Sequence, residues 1–258
     1  MRTQGRSRAG GNRAGPDALL RDERPSEHGT VHGAGLRSSG RVTAESPFDA
    51  LAAKYDAWFD GKGRLAFEIE LAALRPLLPG LPRPWLEVGV GTGRFAQALG
   101  IPVGVDPSRE LLKLAQERGI EAIQASGENL PFGDESFGTV FLLTTWEFLA
   151  EPAGVLAGIR RVLRPGGIFV NAYLDRGGKW GASYVEKGRA GHPLFSYARF
   201  GTFDEVREAT EAAGFVIDEV TSTLFQGPGE TTILEAPRPG YQPGASFVVV
   251  KASKPGKT

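Results

Sequence analysis

The sequence predicts an α/β fold: an open, mostly parallel seven-stranded sheet with helices on both faces and an antiparallel strand at one edge. Three observations carry this expectation. Beyond Pro84, short apolar runs alternate with amphipathic helical segments. A glycine-rich turn, Gly89-Val-Gly-Thr-Gly93, joins the first of those runs to a helical segment. The last two apolar runs have no helix between them, so they pair as antiparallel neighbours.

The elements follow in order. Phe48, Leu51, Tyr55, Trp58 and Phe59 recur at three and four residues and give one helix face, which Gly61 and Gly63 end. A second helix over about 65–78 carries Leu65, Ile69, Leu71, Leu74 and Leu78 and stops before a Pro/Gly-rich stretch, 79–84. Trp85–Val88 is a short buried strand, 95–99 a helix and 101–105 a second strand. Asp106-Pro107 opens a helix that runs to Arg118, with Pro inside its start and Gly119 past its end. Strands at 120–123 and 139–143, a helix at 153–163 and a strand at 167–173 follow. Residues 175–201 are less regular. Thr202-Phe-Asp-Glu205 reads as a capping box for a helix ending at Gly214. Two late strands, about 215–224 and 246–251, close the pattern.

The chain of 258 residues carries 30 basic and 30 acidic side chains, three His and no Cys. Without Cys there is no disulfide framework, no thiolate metal site and no cysteine nucleophile. The zero net charge argues against a chain-wide nucleic-acid binder. No apolar run reaches the roughly 18 residues that span a bilayer, so no membrane association and a cytoplasmic location are expected. Residues 1–44 stand apart. They hold eight Arg against four acids and almost no large apolar residue, too little to offset the entropy of ordering, and are expected to be a disordered basic tail. It is either a solvated leader or an electrostatic arm for a polyanion such as RNA. Residues 45–258 form the folded domain, with a helical lid at about 47–78.

The glycine turn follows a strand and opens a helix, where backbone amides face an anion or a polar ligand tail. A dinucleotide fingerprint needs a third glycine at 94, where Arg94 stands, and the nucleoside-triphosphate spacing also fails. Asp106 ends the second strand, where a carboxylate accepts both hydroxyls of a ribose, or alternatively caps the next helix. The loop Ala125-Ser-Gly-Glu-Asn-Leu-Pro-Phe132 emerges at the same sheet edge, the usual ligand crevice of open α/β sheets.

With these features in this order, the chain resembles the class I S-adenosylmethionine-dependent methyltransferases, whose fold is Rossmann-like, and in particular the small-molecule group that includes the ubiquinone-biosynthesis methyltransferases. Leu86-Glu-Val-Gly-Val-Gly-Thr-Gly93 resembles the first motif, Val103-Gly-Val-Asp106 the second-strand acid, Glu128-Asn-Leu-Pro-Phe132 the third motif, and Arg160-Arg-Val-Leu-Arg-Pro-Gly-Gly167 the helix-to-fifth-strand signature. The resemblance covers about 48–253 and implies S-adenosyl-L-methionine as cofactor. It assigns Glu87 and the backbone of Gly89, Gly91 and Gly93 to the methionine end, Asp106 to the ribose and Pro107 to the adenine. Ser126 and Gly127 fall at the adenine edge, Thr144 near the centre, and Tyr55-Asp56 on a covering lid. Many relatives carry Asp where Ser126 stands, so its contact lacks charge assistance.

Methyl transfer from a sulfonium is an in-line displacement that needs alignment and, for some acceptors, removal of one proton. Leu142-Leu-Thr-Thr-Trp146-Glu147 lacks the Asn/Asp-Pro-Pro-Tyr pattern of methyltransferases acting on adenine or glutamine amino groups, which favours a small-molecule acceptor. Glu147 is the first candidate for a base or orienting group and Asp175 the second; each has a plain alternative as an exposed residue at the start of a helix or loop. Trp146, Tyr173, Trp180, Tyr184, Phe195, Tyr197 and Phe200 are expected to give the acceptor pocket its aromatic surface, with Trp180, Tyr184 and Tyr197 alternatively core residues of an ordered insertion. Two other readings stay open: a non-catalytic cofactor-binding module acting through a partner, and an RNA methyltransferase that uses the basic tail.

Overall fold

A computed structural model describes residues 48–256; the expected basic tail, residues 1–44, lies outside the described residues, as do 45–47, 257 and 258. A 3₁₀ turn, Asp49–Leu51, leads into α1 (Ala52–Asp60) and α2 (Arg64–Leu74). Then come β1 (Trp85–Val88), α3 (Arg94–Leu99), β2 (Val103–Asp106), α4 (Arg109–Glu117), β3 (Glu121–Gln124) and β4 (Phe137–Leu143). The remainder is α5 (Pro152–Val162), β5 (Leu163–Leu174), α6 (Lys179–Arg189), α7 (Phe203–Ala212), β6 (Val216–Thr223), β7 (Arg238–Pro239) and β8 (Phe247–Ser253).

The strands form one sheet in the order β3-β2-β1-β4-β5-β8-β6-β7. Pairings from β3 to β5 are parallel, with Leu86 opposite Val103 on one side and Val140 on the other. β8 runs antiparallel to both β5 and β6. The sheet therefore has the seven expected strands and an eighth, the two-residue β7, which pairs with β6 through Thr221 and Ser222.

Strand alternation sorts the core into two layers. Trp85, Phe141, Leu143, Val170, Ala172, Phe247 and Val249 face one side, with α2, α3, α4 and α6 packed on it. Leu86, Val88, Val140, Leu142, Phe169, Val248 and Val250 face the other, where α5 and α7 lie. Burial of both faces explains why the central strands read as continuous apolar runs, all seven residues of β4 being buried.

Local signals set most boundaries. The Thr202–Glu205 capping box is formed in both directions. α4 differs in detail from the expectation: Ser108 is its cap, its Oγ accepting from Leu111 N at 3.2 Å, and Pro107 stands one residue outside the helix. α6 falls inside the stretch expected to be irregular. Its cap, Gly178, has no side chain to signal a start, and glycines at 181 and 188 weaken the helical pattern. Both serve packing, since a Cβ would fall 2.1 Å from Asp175 O at Gly181 and 2.5 Å from Phe195 O at Gly188. Among the described residues no helix is long and apolar enough to cross a membrane.

Candidate cofactor and active site

The carboxyl ends of β1, β2 and β4 open onto a cavity of about 1210 Å³, covered by Phe48, Tyr55 and Phe59 from the lid segment. Its floor is the turn after β1. Gly89, Gly91 and Gly93 have φ of 74°, 52° and 79°, a left-handed course that only glycine follows without strain. The amides of Gly89 and Val90 donate to Val105 O at 2.8 and 3.0 Å, which fastens the turn to β2. Val90 rests against Gly104, where a Cβ would lie 2.5 Å from it. Over Gly91 the space is open, so a ligand can approach the bare backbone.

Two buried acids border this floor. Asp106 ends β2, with Oδ2 accepting from Gly91 N at 3.0 Å and Oδ1 from Ser108 N at 2.8 Å. Burial raises Asp106 to about 6, against the lowering pull of the Ser108 and Gly91 amides. Each of its oxygens keeps a lone pair for a hydroxyl donor. Glu87, on β1, is 1% exposed and its Oε2 has no hydrogen-bond partner. Burial, and then the charge of Asp106, hold Glu87 well above the ordinary carboxylate range. A buried acid with an open oxygen suits a cationic ligand group.

The remaining expected residues line the same space. Pro107, Ser126 and Gly127 lie on the cavity wall, and Gly127 has no room for a side chain because a Cβ would meet Val155 Cγ1 at 2.9 Å. Thr144 takes a φ of 46° at the end of β4, tied to β5 by its amide on Ala172 O at 2.7 Å. Thr145 Oγ1 donates to Gly89 O at 3.1 Å, linking the segment after β4 to the turn. Tyr55, from α1, lines the cavity together with Thr144. Burial raises its hydroxyl above the ordinary tyrosine value, and the acids Glu70, Glu147 and Asp106 add to this.

The two acids expected at the acceptor do not line the cavity. Glu147 is buried at 1% exposure, not an exposed helix start, and its Oε1 accepts a short hydrogen bond from Leu174 N. Asp175 is equally buried, with Oδ1 accepting from Gly177 N at 2.7 Å. Each carboxyl is held by one backbone amide at the end of β5, and the second oxygen of each, Glu147 Oε2 and Asp175 Oδ2, is buried without a hydrogen-bond partner. Of the expected aromatics only Tyr197 lines the cavity, 64% exposed; Trp146, Tyr173, Trp180, Tyr184 and Phe200 are core residues, and Phe195 packs against them.

Sequence reasoning missed the ion-pair group at the edge of the turn. Arg94 Nε donates to Asp56 Oδ1 at 2.9 Å, and its two terminal nitrogens bond Asp60 at 2.6 and 2.5 Å. Arg118 donates to Asp56 Oδ2 at 2.7 Å and to Thr92 O at 2.8 Å. Burial works against the charge of Asp56, yet hydrogen bonds from Arg94, Thr92 and Arg118 bring it down to about 2. The available signal was Asp56 and Asp60 four apart on one helix face, with an arginine directly after the glycines. Phe48 and Phe148, ring centroids 4.9 Å apart, were also missed as cavity walls. No metal-ligating cluster exists among the described residues.

A glycine turn locked to a strand-end acid, on a sheet of this order, defines a nucleoside-cofactor-binding α/β domain. Comparison with known proteins narrows the class. Residues 86–171 match the family described as "Methyltransferase domain". An uncharacterized protein of Mycobacterium tuberculosis is 41% identical over 214 residues, 82% of this chain and 75% of that protein. The ubiquinone/menaquinone biosynthesis C-methyltransferase of Ectopseudomonas mendocina is 32% identical over 142 residues, 46% of this chain and 53% of that protein. A Thermotoga maritima crystal structure, described as a "SAM-dependent methyltransferase, possible histamine N-methyltransferase", superposes with TM-score 0.75 at 36% identity, covering 81% of this chain and 98% of that one. The chain belongs to the class I S-adenosylmethionine-dependent methyltransferases, and S-adenosyl-L-methionine is its cofactor. The open backbone at Gly91, the Asp106 lone pairs and the unpartnered Glu87 oxygen fit that molecule's tail, ribose and ammonium respectively.

Proposed function

We propose that the chain transfers a methyl group from S-adenosyl-L-methionine to a small-molecule acceptor by in-line displacement. The observation that carries this reading is the single cavity joining the glycine turn and Asp106 to an aromatic opening formed by Phe48, Phe148 and Tyr197. Its volume of about 1210 Å³ exceeds the usual range for one ligand, roughly 300–1,000 Å³, and leaves room for a second molecule. When bound, the cofactor supplies an electrophilic methyl on a sulfonium.

In this reading Asp106 accepts from the ribose hydroxyls and Pro107 packs against the adenine. Ser126 and Gly127 meet the adenine edge, Gly89, Gly91 and Gly93 offer backbone to the methionine part, and Glu87 receives its ammonium. Thr144 and Tyr55, both on the cavity wall, border the centre, where exclusion of water and alignment lower the barrier. Glu147 and Asp175 act as positioning residues that hold the end of β5 through the Leu174 and Gly177 amides. Where the acceptor carries a proton, solvent water at the open side of the cavity takes it.

The test has two stages. Calorimetric titration with S-adenosylhomocysteine, with NAD as control, should give heat only for the former. Turnover of labelled S-adenosylmethionine against a panel of small amines, phenols and carboxylates should then reveal the acceptor. Binding without turnover on any panel member, or on RNA with the full chain, would favour the non-catalytic module. Methylation of RNA that vanishes on deleting residues 1–44 would overturn the small-molecule reading in favour of the tail-guided one.

A further inference from the structure

The cofactor of this family is a zwitterion at its amino-acid end, and the cavity offers that end one acid and one base. Glu87 is the acid. Arg94 is the base: it lines the cavity directly after Gly93, whereas the other arginine on the wall, Arg109, follows Pro107 at the start of α4.

Arg94 is fully engaged by the lid. Its Nε side belongs to Asp56, which is 14% exposed at the side chain and also held by Arg118. Its terminal edge forms a two-bond, end-on pair with Asp60, at 2.6 and 2.5 Å, the geometry in which a guanidinium receives any carboxylate. Asp60 is the last residue of α1, its side chain is 70% exposed, and every hydrogen bond described for its carboxylate comes from Arg94. Arg94 and Arg118 together balance Asp56 and Asp60. A third carboxylate at this place would leave the group with excess negative charge unless one of the two acids withdrew. Asp60 is the one that water already solvates.

We propose that Asp60 is a displaceable stand-in for the carboxylate of the cofactor's methionine part: that carboxylate takes the terminal edge of Arg94, and Asp60 is released to solvent while Asp56 keeps the lid in place. The inference rests on the cofactor reading above and adds to it a carboxylate subsite and its built-in competitor. Arg94, a mismatch when the turn is read as a dinucleotide fingerprint, becomes the residue that selects ligands carrying an amino-acid tail. Asp60 sets the concentration at which they enter.

The experiment titrates the full chain with S-adenosylhomocysteine and with 5′-methylthioadenosine, which keeps the nucleoside and sulfur but lacks the amino-acid part. Asp60→Asn should tighten S-adenosylhomocysteine by about threefold, the scale of an exposed ion pair, and leave methylthioadenosine unchanged. Arg94→Lys, which keeps the charge but loses the paired geometry, should weaken S-adenosylhomocysteine by about tenfold and again spare methylthioadenosine. Unaltered or weaker S-adenosylhomocysteine binding by Asp60→Asn overturns the proposal. So does an equal change for both ligands, which would mark Asp60 as a lid support only. If the wild-type chain binds neither ligand, the cofactor reading itself fails, and this proposal with it.

Discussion

The amide of Gly91 donates to Asp106 Oδ2 at 3.0 Å, so the middle glycine of the turn and the acid ending β2 hold each other in place. The bond joins the ends of two parallel neighbours of the sheet, and beside it Gly104 leaves room for Val90 to rest against β2. The floor of the site is thus set by the register of β1 and β2.

Replacing Asp106 by Asn should weaken S-adenosylhomocysteine by about 10- to 100-fold, the range of a charge-assisted hydrogen bond, with the far-ultraviolet circular dichroism kept. Wild-type affinity should also depend on pH. The ionised acid is the form that accepts two hydroxyls, and burial raises Asp106 to about 6, so affinity should climb through pH 6 and level off above 7. A flat profile from pH 5 to 8 would remove Asp106 from the ribose contact.

Gly91→Ala and Gly89→Ala should fail differently. At Gly91 a Cβ meets nothing within 4 Å, so the variant should fold with a strain of about 1 kcal/mol yet bind S-adenosylhomocysteine poorly, its methyl standing in the cavity. At Gly89 a Cβ would lie 2.3 Å from Thr145 Cγ2, so the loss should appear in thermal stability. Equal melting temperatures for the two variants would contradict this division.

Burial raises Glu70 to about 8, with Glu147 adding to it, and burial raises Glu147 to about 7. Each folded value lies above the unfolded one, near 4.3, so the native state holds more protons and ligand-free stability should fall as pH rises from about 4.5 to 8. Glu147→Gln, whose amide oxygen can still accept from Leu174 N, should melt several degrees higher than wild type at pH 8.5 and show a shallower slope. The scale is about 2–4 °C per kcal/mol. Parallel slopes in differential scanning fluorimetry would disprove it.

Ser126→Asp places an acid on the cavity wall at the position that the proposed reading sets against the adenine edge. It should tighten S-adenosylhomocysteine by about three- to tenfold while leaving S-inosylhomocysteine, which lacks the adenine amino group, unimproved. Equal gains for both would locate the effect elsewhere.

The fold was legible wherever chemistry repeats along the chain. The strands beside the turn announced themselves as short apolar runs, and Thr202 with Glu205 marked α7. α6 escaped because Gly181 and Gly188 answer to the neighbouring backbone of Asp175 and Phe195, contacts that no local pattern records. The same holds at the site. Asp106 and the glycines lie within 18 residues of one another and read as one motif. Glu147 looked available because its position after β4 was visible, whereas its bond to Leu174 N, 27 residues away, was not. Arg94 was legible only as the wrong residue for another motif; its partners, 34 and 38 residues upstream, belong to a different helix.

β8 lies between β5 and β6, although it follows both in the chain. Apart from the two-residue β7, β6 has no other partner in the sheet. On the ribosome, β6, held only by the two-residue β7, and the outer edge of β5 must therefore both wait until Ser253 has cleared the exit tunnel, while the pairings that β1 to β5 make with one another are already synthesised and free to assemble around the ligand floor. Synthesis thus separates the chain into an early half that carries the chemistry and a late half that seals its edge. Ligand present during translation would meet its site before the protein is finished.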